Sequence, residues 1–289
     1  MPITKIEQQG SITSVYCSVS ASWSQKIYLF SDVHLDSVYC NRELYLKHLQ
    51  KAKKEGAWIL DGGDLFDAMQ GRFDPRRNMD ELRPEYRRAD YYDFVVEDVA
   101  NILKPYADNF LVMAQGNHES AVTRHASISL TDRLVYQLRH DGSSVVVGGF
   151  KGWIRIVGKS QNDHHEFTFL LRYSHSGGGG NSAPVTRGVI DTNRQAVYLP
   201  DAQVIWNGHN HQGWIMPISR ERVSTKGKLY QDIAWFVRTP GYKCEYIMAN
   251  RGYEAEKARG PNPLGCIVIT LKSIKDDRLG ISVEPLFDV

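Results

Sequence analysis

Five short apolar runs in this 289-residue chain each end in side chains that can bind a metal ion. Residues 26–30 (KIYLF) lead into Asp32 and His34, and residues 57–60 (AWIL) lead into Asp64. Residues 110–114 precede Asn117 and His118, residues 167–173 precede His175, and residues 204–206 precede His209 and His211. Short apolar runs bounded by turn-forming residues read as buried strands. In open α/β sheets, ligands collect at the carboxyl ends of strands. Between the first three runs, Leu44, Tyr45, His48, Leu49 and Ala52, and then Tyr91, Phe94, Val95, Val99, Ile102, Leu103 and Tyr106, recur at helical spacing. Pro105 marks the expected end of the second helix. The alternation of strand and helix predicts a layered α/β architecture in which the strand ends converge.

Further strands are expected at 144–147, 153–157, 214–218, 233–237, 266–271 and around Ile281, with a loop over 250–263. Residues 1–25 read as a mostly polar N-terminal extension or strand, and 26–289 as one domain. With 42% hydrophobic and 24% charged residues, the composition excludes a disordered or low-complexity chain. A net charge of +2 gives no global electrostatic case for nucleic acid. No run approaches the ~18 apolar residues of a membrane helix, and the N-terminus lacks the pattern of a secretory signal. Cys17, Cys40, Cys244 and Cys266 form no CxxC pair. They read as free thiols in a reducing, cytoplasmic compartment.

Carboxylates mixed with imidazoles suit Mn, Fe, Zn, Co or Ni and not a thiolate site. Eight candidate ligands or acid/base groups exceed what one ion can use, so a pair of ions is the economical reading. Such pairs sit ~3.5–4 Å apart and clamp the attacking and leaving oxygens of an in-line phosphoryl displacement.

Taken in order, Asp32-Val33-His34, Gly63-Asp64, Gly116-Asn117-His118-Glu119, His175 and Gly208-His209-Asn210-His211 resemble the signatures of the calcineurin-like metallophosphoesterases. The resemblance spans residues 26–215. It implies a four-layered α/β/β/α sandwich, with two mixed sheets flanked by helices and the metals at one sheet edge. It further implies that Asp32, His34 and His211 hold one metal, that Asn117, His175 and His209 hold the other, and that Asp64 bridges them. The nucleophile would be a hydroxide bridging two divalent ions, manganese first among them, with Fe, Zn, Ni or Co as alternatives. His118 resembles the family's non-ligand histidine, which stabilises the transition state or protonates the leaving oxygen. Asp67, in a GDxxD pattern, either orients His118 or simply starts a turn. Ala68-Met69 stands where phosphoprotein phosphatases carry Arg-Gly, and the GDLFD wording is more similar to the Mre11/SbcD nuclease branch.

Residues 72–88 hold six arginines and four acids. Arg72 and Arg76, with Arg124 beyond the GNHE segment, are candidate phosphate clamps. The alternative is a solvated, salt-bridged face. Gly177 and Gly178 open a Gly run that either brings backbone N–H groups to a phosphate or forms a surface loop. The expected activity is dinuclear-metal-dependent hydrolysis of phosphate esters: first a phosphodiesterase, nucleic acid among its substrates. The alternatives are a phosphomonoesterase on nucleotides or phosphoproteins and, in another class, a non-catalytic metal-bound scaffold. No membrane partner is expected.

Overall fold

The computed structural model describes residues 1–20, 22–69, 74, 77–160, 166–176, 184–224, 226–244, 261–274 and 278–288, with backbone alone at 184–189, 274 and 278. The chain opens with β1 (Ile3–Gln9), β2 (Ile12–Val19) and β3 (Ser24–Phe30), followed by α1 (Arg42–Lys54) and β4 (Trp58–Asp61). Next come α2 (Tyr91–Leu103), β5 (Phe110–Met113), α3 (Asn117–Ala126) and α4 (Leu130–His140). Then β6 (Val146–Val147), β7 (Lys151–Ser160), β8 (Glu166–Ser174), α5 (Pro184–Tyr198) and β9 (Val204–Asn207) follow. Four long strands close the order: β10 (Trp214–Val223), β11 (Leu229–Arg238), β12 (Leu264–Ile274) and β13 (Arg278–Asp288).

Two mixed sheets result, one ordered β1-β2-β7-β8-β9-β11-β10 and the other β13-β12-β3-β4-β5-β6. Alternation along the apolar runs sorts their side chains between two cores. Ile27 and Leu29 of β3, with Trp58 and Leu60 of β4, face the seven-stranded sheet, where Ile154, Ile156, Phe169, Leu171 and Trp206 meet them. Tyr28, Phe30 and Ile59 point the other way, onto Tyr45 and Leu49 of α1 and Val95 and Val99 of α2. Buried on both faces, these strands read as continuous apolar runs. A register shift in the β4–β5 pairing accompanies two successive β5 residues, Leu111 and Val112, that both serve the inter-sheet core. Beyond the seven-stranded sheet, Ile205 and Phe236 pack with Leu199, which follows α5. The layers are therefore helices α1, α2 and α4, the six-stranded sheet, the seven-stranded sheet, and α5: the expected α/β/β/α sandwich.

Several elements differ from expectation. The N-terminal residues form an antiparallel hairpin whose β2 runs parallel to β7 from Ile12↔Trp153 to Val19↔Ser160, burying Val15, Cys17 and Val19 between the sheets. The second helix stops at Leu103, and Pro105 sits in the 3-10 turn Lys104–Asn109 that follows. Proline has no N–H to donate, so the ladder of i→i−4 bonds cannot run on through position 105. Helices α3, α4 and α5 were not expected, and the tail strand expected around Ile281 extends over 11 residues as β13. Residues 250–260 of the expected loop, and His164 and His165, lie outside the described residues. Among the described residues no helix is long and apolar enough to cross a membrane.

His48 lies in the helical core, 5% exposed, with Nδ1 2.8 Å from the Tyr242 hydroxyl. Burial, then Lys47 and Lys51, push its pKa down to about 4. The unfolded imidazole protonates near 6.5, so the unfolded state takes up the proton first. The stability this site contributes is whole above about pH 6.5 and declines as pH falls toward 4. The urea midpoint of His48→Gln should therefore fall less than that of the wild type between about pH 7.5 and about pH 5. Parallel loss in the two proteins would contradict it.

Candidate metal centre

Where β3, β4 and β5 run out, the chain turns sharply, and the turns interlock. The N–H groups of Asp32, His34 and Leu35 donate to the carbonyls of Gly63, Asp64 and Leu65 at 2.9–3.0 Å. Among the described residues seven non-glycine positions have positive φ, and five of them are Asp32 (54°), His34 (52°), Asp64 (54°), His209 (75°) and His211 (54°). Left-handed backbone is uncommon outside glycine, though Asp, Asn and His tolerate it best. Strain of roughly 1–3 kcal/mol per residue persists only where the surroundings over-determine it. Gly116 is required by close approach: a Cβ there would lie 2.0 Å from Asp64 Oδ1.

Three groups of ligand atoms converge, each within 4.8 Å of one another: Asp32, His34 and His211; His34, Asp64 and His118; and Asp64, His175 and His209. His34 Nε2 and His211 Nε2 face each other at 3.3 Å, and Asp32 Oδ1 lies 3.6 Å from His211 Nε2. His175 Nε2 is 3.0 Å from both Asp64 Oδ2 and Asn117 Oδ1. Its Nδ1 is 3.0 Å from the Gly62 carbonyl, so Nδ1 keeps its proton and Nε2 is the nitrogen that would give up its proton to bind a cation. The structure thus brings together all seven side chains expected as ligands, with Asp64 shared between two of the three groups. Imidazole nitrogens and carboxylate oxygens aimed at common points are a donor set that two divalent cations fit.

Charge in the centre is strongly coupled. Burial opposes ionisation of Asp64, but His175, His118 and His34 outweigh it and hold its carboxyl well below the usual range. Burial likewise opposes charge on His175, yet Asp64 beside it raises that imidazole to about 10. His209 moves down, through burial and then the charge on His175. Buried carboxylates that favour positive charge this strongly are suited to cations.

The remaining expected residues separate. His118 has its backbone N–H on Asp64 Oδ1 at 2.9 Å, its Nδ1 on the Asp67 carbonyl, and its Nε2 3.8 Å from Asp64 Oδ2. Asp67 therefore touches His118 chiefly through its main chain, while its carboxylate lies 3.0 Å from His34 Nδ1 and 3.9 Å from His118 Nδ1. Arg124 is exposed on α3. Arg72, Arg76, Gly177 and Gly178 lie outside the described residues. Of the other arginines in that insert, Arg83 binds the Ser37 and Cys40 carbonyls, Arg87 binds the Leu82 carbonyl, and Arg88 binds Asp90. Those three serve the loop itself.

Three supporting side chains were not foreseen. Glu119 Oε2 accepts from the N–H groups of Asp64 (3.1 Å) and Gly116 (2.8 Å), and Oε1 accepts from Phe66 (3.0 Å). Burial, then Asp64, push its carboxyl up to about 8. Asp36 accepts from the N–H groups of Asp67 (2.6 Å) and Ala68 (3.0 Å), and from the Tyr91 hydroxyl. Lys243 Nζ reaches Asp67 Oδ1 at 3.2 Å and Glu81 Oε2 at 3.6 Å. Asp36 repeats the two-residue spacing of Asp32 and His34, a signal present in the sequence. The Lys243 contact spans 176 residues and has no local signal.

The family model described as calcineurin-like phosphoesterase matches residues 25–213. No curated protein matches the chain. Among solved structures, zinc-complexed Vps29 from Entamoeba histolytica is 9% identical, covering 90% of this chain and 98% of its own, with a TM-score of 0.36. A metallophosphoesterase from Sphaerobacter thermophilus is 11% identical, with coverages of 91% and 89% and a TM-score of 0.35. An uncharacterised Streptococcus pneumoniae protein, described as a predicted phosphoesterase, is 11% identical, with coverages of 90% and 89% and a TM-score of 0.32.

Glu119→Gln places an amide donor against a backbone N–H whichever way its side chain is turned. It should cost about 1–3 kcal/mol of stability and weaken metal retention, read by urea unfolding and by metal analysis after dialysis. A variant with the wild-type midpoint and metal content would show that the clasp is dispensable.

Proposed function

The chain belongs to the calcineurin-like phosphoesterase family, and from that premise we propose that this metal-dependent hydrolase of phosphate esters acts on phosphodiesters, nucleic acid among them. The observation that carries the reading is the chain of three ligand groups, two of them sharing Asp64 and two sharing His34, with His118 in the middle one. Asp32, His34 and His211 would hold one divalent cation, Asn117, His175 and His209 a second, and Asp64 both. Bound there, the cations would supply Lewis acidity toward the phosphoryl oxygens and depress the pKa of a water molecule toward neutrality.

The chain's own groups do the rest. With Nδ1 held by the Asp67 carbonyl, Nε2 of His118 carries a proton only in the imidazolium form. That form has a donor to offer the leaving oxygen beside Asp64, and the neutral form an acceptor. Asp67 is a positioning residue, holding His118 by its carbonyl and His34 by its carboxylate. Lys243 balances the charge of Asp67 from the outer side.

Charge favours the diester. Asp32 and Asp64 would offset two of the four positive charges that a pair of divalent cations brings, and a hydroxide with a monoanionic diester would cancel the other two. The Asp67 carboxylate is already balanced by Lys243. The GDLFD wording supports a nuclease-like substrate, and Arg72 and Arg76 are the insert residues proposed to meet its backbone. We take manganese as the ion to supply first, and a reducing, cytoplasmic setting from four unpaired cysteines.

With manganese supplied, bis-p-nitrophenyl phosphate should turn over faster than p-nitrophenyl phosphate, and single-stranded DNA should be cleaved. Preference for the monoester would move the substrate to nucleotides, and no turnover with any metal would leave a metal-bound scaffold. His118→Ala should keep both metals and lose about 10²–10⁴ in rate, whereas Asp64→Asn should lose metal and activity together. Metal loss in His118→Ala would instead make that histidine a ligand.

A further inference from the structure

At the edge of the metal centre an aromatic side chain stands partly in solvent. Phe150, which immediately precedes β7, is 37% exposed. The Lys151↔Ser174 pairing of β7 with β8 makes Phe150 and His175 the next cross-strand neighbours, and the His175 N–H donates to the Phe150 carbonyl at 2.9 Å. Paired residues share a face of the sheet. Phe150 therefore lies on the face of His175, the one that Ile154, Ile156, Phe169 and Leu171 fill between the sheets farther along the same strands. The Phe150 and His175 rings meet edge to face, their centroids 5.4 Å apart at 72°.

The ring is held in place by main-chain bonds. The Gly148 N–H donates to the Met113 carbonyl at 2.7 Å. Close approach requires glycine there, since a Cβ would lie 2.6 Å from the Tyr173 hydroxyl and 2.8 Å from Val112 Cγ1. With the Phe150 carbonyl fixed by His175, the side chain leaves the sheet edge at a defined point. Orientation of His175 does not depend on the ring, because the Gly62 carbonyl already holds its Nδ1 at 3.0 Å. Any apolar side chain could also make the contact with His175. The exposed part of the ring is what neither packing nor ligand orientation accounts for.

We propose that Phe150 is a base-stacking platform beside the metal centre, taking the nucleobase of a phosphodiester whose phosphate lies at Asp64 and His175. The inference rests on the diester reading above and deepens it to esters that carry a base. The Phe150 ring stands one imidazole beyond His175 Nε2, so a sugar bridges the distance from phosphate to ring. An aromatic ring offers nothing to a bare phosphate or to sugar hydroxyls, but it matches the flat face that every base presents. Stacking of this kind accepts any base, so the substrate class is base-bearing diesters without sequence preference.

The test compares two substrates of the manganese-loaded whole chain: the thymidine dinucleotide, and the same diester with both bases replaced by hydrogen. The variants are Phe150→Leu, which keeps an apolar side chain against His175, and Phe150→Trp, which keeps an aromatic face. In the wild type kcat/KM should favour the base-bearing dinucleotide by about tenfold or more. That preference should fall about tenfold in Phe150→Leu, equivalent to about 1.4 kcal/mol, with the loss in KM, and should persist in Phe150→Trp. A preference that Phe150→Leu leaves unchanged would overturn the platform. Equal losses on both substrates give that same result and would assign Phe150 to the support of His175. If the wild type cleaves neither diester, the hydrolysis reading fails on its own, and calorimetric titration with the same two dinucleotides and manganese decides the platform. Tighter binding of the base-bearing one, lost in Phe150→Leu, would uphold it, and equal binding of the two would overturn it.

Discussion

The turn from Gly63 to Ala68 leaves the sheet without ladder partners, and the structure depends on how its backbone is satisfied instead. Its carbonyls at Gly63, Asp64 and Leu65 take the N–H groups of the first motif. Its N–H groups at Asp64 and Phe66 go to Glu119, and those at Asp67 and Ala68 to Asp36. Buried main-chain polar groups must be paired, so each metal-binding turn is the hydrogen-bonding partner of another.

That pairing accounts for the backbone. Left-handed conformation at Asp32, His34, Asp64, His209 and His211 lies in the turns that bring side chains from separate strand ends to common points. Gly116 lets the third motif lie against Asp64, where any side chain would displace its carboxylate. Asp32 is held in turn by the His209 N–H at 2.9 Å and by Ser31. Ser31 also contacts Thr239, to which Trp206 Nε1 donates at 3.0 Å. Rigid support of this kind is what a metal or catalytic constellation requires.

Much of the fold and of the candidate site was legible in the sequence, because each inner strand is an apolar run that stops at its functional residues. What escaped notice did so for physical reasons. In β2 the buried residues Val15, Cys17 and Val19 alternate with polar ones, so the segment looks like a polar lead unless read with a period of two. Helix α3 starts inside the third motif, and Asn117 and His118 are its first residues. The Ser129 cap on Asp132 announced α4. Lys243 acts through a contact spanning 176 residues, which no local pattern displays, whereas Asp36 and Glu119 had local signals in the spacing from His34 and in the capping box with Gly116. The arginines of the insert divide: Arg83 and Arg87 hold nearby carbonyls, while Arg72 and Arg76 lie outside the described residues.

The parallel pairing of β2 with β7 has a consequence for synthesis. Ile12 of the N-terminal hairpin waits for Trp153, its partner in register. On a ribosome adding about 5–20 residues per second, that gap lasts on the order of ten seconds or more. Through that interval the edge of β2 is unclaimed, with Val15 and Cys17 awaiting the sheet that will cover them. A newly made chain of this protein thus carries an edge open to misassociation along Ile12–Val19, far in sequence from the chemistry these residues later support.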